Sequence, residues 1–322
     1  METVVALLKD EMQAVEDQFN KNLASDVPLV SQVGNYILSS GGKRIRPMLL
    51  LLSARLCGYR GDKDVELASV VEFIHTATLL HDDVVDGADL RRGNRSANSV
   101  WGNQASVLVG DFLFAKSFSV MVGCENLKIL KILSDTTTHM AEGEILQLLN
   151  TCDLDVDEQR YLQVVRDKTA ILIAAACQVG GMLAGVDEQR EEALREFGLE
   201  IGTAFQLMDD ALDYVADQAD FGKAKGHDLA EGKMTLPLIS AYNRSTDQER
   251  VEVARIIEAE ELSEADLNYV CQLIDRHDGI AYTRQRAVDR IEAAKRQLEI
   301  FPDNEARRAL FILADYVVAR KK

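Results

Sequence analysis

Proline is nearly missing from this 322-residue chain, standing only at positions 28, 47, 237 and 302. Leu, Ala, Glu and Val are abundant instead, so the backbone meets few breaks and favours helix over sheet. Positive charge is short too: 36 Lys and Arg face 53 acids, for a net charge of −17. That balance repels phosphate polymers everywhere except at local basic patches, which argues against a nucleic-acid partner. The five cysteines (Cys57, Cys124, Cys152, Cys177, Cys271) are odd in number, scattered and without a CxxC pair. They exclude a disulfide frame or a zinc site and suit a reducing compartment. No Gly/Ser/Pro-rich linker marks a boundary, and no strand–helix alternation runs along the chain. The most apolar run, 171–186, holds three glycines and falls short of a membrane span. The amphipathic, acidic opening METVVALLKDEMQ lacks the pattern of a signal peptide. Together these absences predict a cytoplasmic protein without membrane insertion, built as one all-α domain over residues 1–322.

What is present fits that frame. Hydrophobic residues make up 47% and charged residues 28%, a soluble globular composition with enough chain for a real core. In VELASVVEFIHTATLLHDD (65–83) apolar positions recur too densely for one face, so the helix is expected to be buried nearly all round. The run from Ser106 to Val122 reads the same way. Turn signals fall at SSGGK (39–43), GYRGD (58–62), FGKAKGHD (221–228) and FPDN (301–304), and Pro47 suits the first turn of a helix.

Acids cluster where a helix should be apolar. Asp82 and Asp86, with Asp83 between them, stand one helical turn apart, about 6 Å across one face. Without a cation each raises the other's pKa. Mg²⁺, held by one or two carboxylates with its other positions left to water and phosphate, resolves the conflict; a solvated acidic helix end is the bland alternative. The spacing recurs at Asp209, Asp210 and Asp213, again inside an apolar helix, where unpaired carboxylates are costly. Two such helices, facing one another across metal, predict a diphosphate clamp. Basic residues accompany them. Lys43, Arg44 and Arg46 follow a Gly loop into a helix, an anion cradle. His75 lies two turns before Asp82 along nearly the same face, and Arg91 and Arg92 follow the acids. Lys168-Thr169, Lys223 and Lys233 are further phosphate candidates, each also readable as a solvated lysine position.

GGKRIRP (41–47), LLHDDVVDGADLRRG (79–93), GEILQL (143–148), KTA (168–170), FQLMDDALDY (205–214) and FGKAKGHDLAEGKMTLPLI, in that order, resemble a trans-polyprenyl diphosphate synthase. The resemblance implies an isoprenoid-synthase-type helical bundle around a deep central apolar cavity, usually a homodimer. It implies Mg²⁺ as cofactor and head-to-tail addition of isopentenyl diphosphate to an allylic diphosphate. By the same resemblance Asp82 and Asp86 hold Mg²⁺ on the allylic diphosphate with Asp83 in support, and Asp209, with Asp213, holds a further ion beside Asp210. Arg91, Lys168, Thr169 and Gln206 contact the allylic diphosphate; Lys43, Arg46, His75 and Arg92 hold isopentenyl diphosphate; Lys223 reaches the leaving diphosphate.

Chain length is read from bulk just before the first acidic motif. Ala77 and Thr78 are small, which leaves a product tunnel open, and the motif lacks the two-residue insertion of bacterial short-chain enzymes. A floor is then expected lower down, with Phe114, Phe118 and Met121 as candidates. The likeness is nearest to bacterial enzymes that make eight-unit chains for the ubiquinone side chain, with farnesyl diphosphate as the expected primer and seven units, nine units or a short chain as the alternative lengths. A class I terpene cyclase and a non-catalytic subunit of a heteromeric synthase are the rivals. The first fits poorly with GGKRIRP, His75 and Arg92; the second fits poorly with two intact acidic motifs.

Overall fold

The scarcity of proline is answered by helices joined through short turns. The computed structural model describes residues 1–215, 226–259 and 261–320. In chain order the first helices are α1 (Glu2–Leu7), α2 (Lys9–Leu23), α3 (Pro28–Ser39), α4 (Ile45–Leu56), α5 (Lys63–Val85), α6 (Ala97–Trp101), α7 (Asn103–Gly123), α8 (Leu127–Leu149), α9 (Glu158–Val164), α10 (Ile171–Leu183) and α11 (Glu188–Asp213). The all-α expectation is met; among the described residues the only strands are β1 (Leu90–Arg91) and β2 (Asn94–Arg95).

Two compact units emerge. The first comprises Met1–Thr137, Leu172–Gly198 and Lys295–Leu313, and the second Thr138–Ile171, Leu199–Ala294 and Ala314–Lys322. In the first unit α5 packs against α2, α4 and α7. Every α5 residue from Leu67 to Ile74 is buried, as its dense apolar pattern requires. Phe73 of α5 stacks on Phe19 of α2 with ring centroids 4.1 Å apart. Around that pair lie Leu23, Val33, Ile37, Ala77, Leu80, Val109 and Leu113. Helix α10 comes so near α4 that a Cβ on Gly180 would sit 2.5 Å from the Leu50 carbonyl oxygen, so only glycine fits there.

Helix α7 departs from expectation. Val109, Gly110, Leu113, Ser117, Val120 and Met121 are buried, whereas Leu108 and Val122 are 67% and 63% exposed. The helix is apolar all round but only one side has neighbours among the described residues. It is also the one described helix long and apolar enough to cross a membrane, by length and composition.

The hairpin was not foreseen. Leu90 pairs with Arg95 and Arg91 with Asn94, leaving Arg92 and Gly93 as a two-residue turn with φ of 52° and 79°. Positive φ at both central positions is the mirror-image turn whose twist matches a hairpin.

Candidate active site

In the first unit the basic residues converge on His75. The loop before α4 turns on Gly41 and Gly42 and enters the helix through Arg44, itself left-handed at φ 50°. Arg44 is committed to the protein: Nη1 donates to the Glu72 carboxylate, which is 5% exposed, and Nη2 donates to the Leu38 carbonyl at 3.0 Å. That anchor fixes the loop that carries Lys43 and the first turn of α4, from which Arg46 projects. The hairpin brings Arg92 against the same loop; a Cβ on Gly42 would lie 2.6 Å from Arg92 Nη1. Burial first, then Arg46, Arg92, Arg91 and Arg44, lowers the His75 pKa well below its ordinary value, so the imidazole is neutral. Four guanidinium groups around one half-buried histidine make a site that attracts a multiply charged anion. Two of the arginines, Arg44 and Arg92, hold left-handed backbones that cost about 1–3 kcal/mol each and cluster at functional sites.

The three acids at the end of α5 divide their work. Asp83 is 1% exposed and committed to Arg91. Arg91 Nε donates to its two oxygens at 2.7 and 2.8 Å, and Arg91 Nη2 lies 2.6 Å from Oδ1. Asp82 is half-buried and Asp86, which ends the helix, is exposed. No group of three or more Asp, Glu, His or Cys among the described residues is placed to hold a metal ion. A pair at one-turn spacing fits Mg²⁺, which takes one or two protein carboxylates and completes its shell with water and phosphate oxygens. His81, one residue earlier, docks on α7: Nε2 lies 3.2 Å from the Val107 carbonyl oxygen and 3.4 Å from Asp111 Oδ1. Gly110 leaves the space for its ring, since a Cβ there would be 2.3 Å from Nε2. Of the chain-length candidates, Ala77 is fully buried in the α5–α7 core, Thr78 donates its hydroxyl to the His75 carbonyl at 2.8 Å, and Met121 is buried on α7. Phe114 and Phe118 are half-buried on the same helix.

The second unit holds a cavity of about 140 Å³, lined by both apolar side chains (Val156, Val164, Val165, Met234) and polar ones. Lys168 and Thr169 enter it from a π-helical turn, Val165–Ala170, between α9 and α10. Such turns mark functional sites. Two glycines admit this wide turn: a Cβ on Gly143 would lie 2.6 Å from the Lys168 nitrogen, and one on Gly202 would lie 2.5 Å from the Ala170 Cα. Lys168 Nζ pairs with Glu144 at 2.6 Å. Thr169 donates its hydroxyl to Gln206 Oε1 at 3.1 Å.

The second acidic motif splits as the first does. Asp209 meets Arg320 Nη2 at 2.6 Å. Asp210, 3% exposed, accepts from Tyr161 at 2.5 Å and from Gln206 at 2.7 Å; burial, then Asp228, pushes its pKa well up. Asp213 accepts from the backbone N–H groups of His227 and Asp228 at 3.3 and 3.2 Å. Burial, then Asp228, raises Asp213 to about 7. Lys233 lines the cavity and donates to Glu231 at 2.6 Å. Lys223 lies outside the described residues. Glu72, Glu144, Tyr161, Asp228 and Arg320 went unnamed in the sequence reading. Glu72, Glu144 and Asp228 sit inside stretches quoted above; Tyr161 and Arg320 carry no local signal.

The chain matches the family model described as Polyprenyl synthetase over residues 27–274. It is 44% identical over 322 residues to the octaprenyl diphosphate synthase of Escherichia coli strain K12, covering 100% of this chain and 99% of that one. It is 40% identical over 318 residues to the geranyl-diphosphate-specific all-trans-nonaprenyl-diphosphate synthase of Rhodobacter capsulatus, covering 98% and 97%. Among solved structures, the polyprenyl synthase of Caulobacter crescentus CB15, complexed with calcium and isoprenyl diphosphate, superposes with a TM-score of 0.96 at 44% identity. That match covers 100% of this chain and 98% of the other. The helical fold, the basic and acidic sets and full-length similarity agree: the chain belongs to the polyprenyl synthetase family and is a prenyltransferase.

Proposed function

We propose that this chain is a long-chain trans-polyprenyl diphosphate synthase that adds isopentenyl diphosphate head to tail to farnesyl diphosphate, with Mg²⁺, to give an eight-unit chain for the ubiquinone side chain. The observation that carries the reading is Asp82 and Asp86 one turn apart at the end of an apolar helix, with His75 on that helix among four guanidinium groups. When bound, Mg²⁺ neutralises the allylic diphosphate and stabilises its charge as the C–O bond ionises. Asp82 and Asp86 are the residues that would hold one ion, and Asp209 is the residue that would hold a further one. Lys43, Arg46, Arg92 and neutral His75 take the diphosphate of isopentenyl diphosphate, while Asp83 fixes the plane of the Arg91 guanidinium for the allylic one. Lys168 and Gln206 donate to allylic diphosphate oxygens, and Thr169, whose hydroxyl donates to Gln206, borders the same group. Apolar residues of α5 and α7 keep water from the allylic cation until the alkene attacks, and the cation so formed loses a proton to the released diphosphate to restore a double bond.

Eight units rests on the E. coli relative and on small Ala77 and Thr78; nine units, favoured by the R. capsulatus relative, is the second reading. We further propose a cytoplasmic homodimer. Five free cysteines support the compartment, and Leu108, Ala115 and Val122, seven residues apart on the exposed side of α7, support self-association. The test incubates purified protein with Mg²⁺, farnesyl diphosphate and labelled isopentenyl diphosphate and sizes the dephosphorylated products. A dominant eight-unit chain is expected. A stop at twenty carbons, one addition to the primer, overturns the long-chain reading, and no condensation overturns the enzymatic assignment of these residues.

A further inference from the structure

In the second unit four side chains form one unbroken polar relay. Tyr161 Oη donates to Asp210 Oδ2 at 2.5 Å, Gln206 Nε2 donates to Asp210 Oδ1 at 2.7 Å, and Thr169 donates to Gln206 Oε1 at 3.1 Å. All four line the cavity that Lys168 enters. Both oxygens of Asp210 are thereby occupied, one by each donor. We propose that Tyr161 is a positioning residue: by pinning Asp210 it fixes which way the Gln206 amide faces, and so presents N–H rather than carbonyl oxygen to a diphosphate in this cavity.

The chemistry leaves one arrangement. An amide side chain offers two N–H donors on one end and an acceptor oxygen on the other, and its two faces are nearly equal in shape. Asp210 Oδ1 accepts both when the carboxyl is ionised, with Tyr161 donating to Oδ2, and when Oδ2 carries the proton and itself donates to the Tyr161 oxygen, so the amide nitrogen faces Oδ1. The Gln206 oxygen then faces Thr169, and the second N–H of the nitrogen is left for a phosphate oxygen. Without the Tyr161 hydroxyl, Oδ2 is buried with an unmet partner. The carboxyl can rotate, and a flipped amide turns its oxygen, a repulsive group, toward the anion. Tyr161 touches no substrate atom in this scheme; it acts only through Asp210 and Gln206.

This inference rests on the prenyl-transfer reading, and its test separates the two. Tyr161→Phe keeps the ring and removes only the hydroxyl. Asp210→Asn, as a second variant, keeps the shape but cannot accept from both partners. Steady-state rates are measured while farnesyl diphosphate and isopentenyl diphosphate are titrated in turn, with melting temperatures alongside. Calorimetry with Mg²⁺ and inorganic diphosphate gives binding without turnover. Both variants are expected to raise KM for farnesyl diphosphate and Kd for diphosphate roughly tenfold, the scale of one hydrogen bond to a charged group. KM for isopentenyl diphosphate should stay put. Equal rises in both KM values, or a lower melting temperature with unchanged diphosphate binding, makes Tyr161 merely structural and overturns the proposal. Wild-type protein that binds diphosphate but transfers no prenyl group sinks the reaction reading, and the binding comparison still decides the relay.

Discussion

Replacing Asp83 by alanine separates a metal ligand from an anchor. The carboxylate is 1% exposed and holds Arg91 through three contacts of 2.6 to 2.8 Å. Breaking a buried ion pair by removing one partner costs about 3–5 kcal/mol, because the other charge stays behind. The Arg91 side chain keeps 21% exposure, so water reaches it and the loss belongs near the lower end, about 3 kcal/mol. At roughly 2 °C per kcal/mol for a large chain, calorimetry should find melting about 6 °C lower. Arg91→Ala in the same background should add little, leaving a coupling of about 2 kcal/mol in the double-mutant cycle. Activity should fall through weaker diphosphate binding as the hairpin loses its tether, while the Mg²⁺ concentration for half-maximal rate stays near wild type. A melting temperature that does not move, together with a large rise in that Mg²⁺ midpoint, would place Asp83 on the metal and refute the argument.

Other perturbations read other parts of the molecule. Gly143→Ala drives a Cβ to 2.6 Å from the Lys168 backbone nitrogen, which cannot step aside as a side chain can; urea unfolding should show a loss of about 1–3 kcal/mol. Asp213, raised to about 7, retains its proton in the folded protein above the ordinary aspartate pKa of about 4. Its contribution to stability is therefore present at low pH and lost as pH rises from about 4 toward 7, and Asp213→Asn should flatten that part of a stability-versus-pH profile. If Leu108 and Val122 face a second copy, Leu108→Glu should shift sedimentation toward monomer at micromolar protein.

The helical architecture was legible because its signal is dense and local: buried α5 announces itself over nineteen consecutive letters, from Val65 to Asp83. The pairing of Asp82 with Asp86 is equally local, one turn of one helix. The division of labour within each motif was not. Asp83 differs from its neighbours through Arg91, which a hairpin of two-residue strands brings back, too short to show any alternation. Asp210 is turned inward by Tyr161, 49 positions earlier, and Asp213 is claimed by N–H groups 14 and 15 positions later. Helix α7 misled for a different reason: its composition records how apolar it is on every side, not which side finds a neighbour.

The π-helical turn at Val165–Ala170 gives this stretch of chain something like a reading frame. One residue fewer would let α9 and α10 merge into an ordinary helix, a change that hydrogen bonding alone would welcome. Yet each residue of an α-helix turns about 100°, so the same deletion would swing Lys168 and Thr169 away from Gln206 while leaving every letter of the KTA motif intact. A homologue with a perfect motif and a single gap just before it should therefore be screened for lost activity before its sequence is taken at face value.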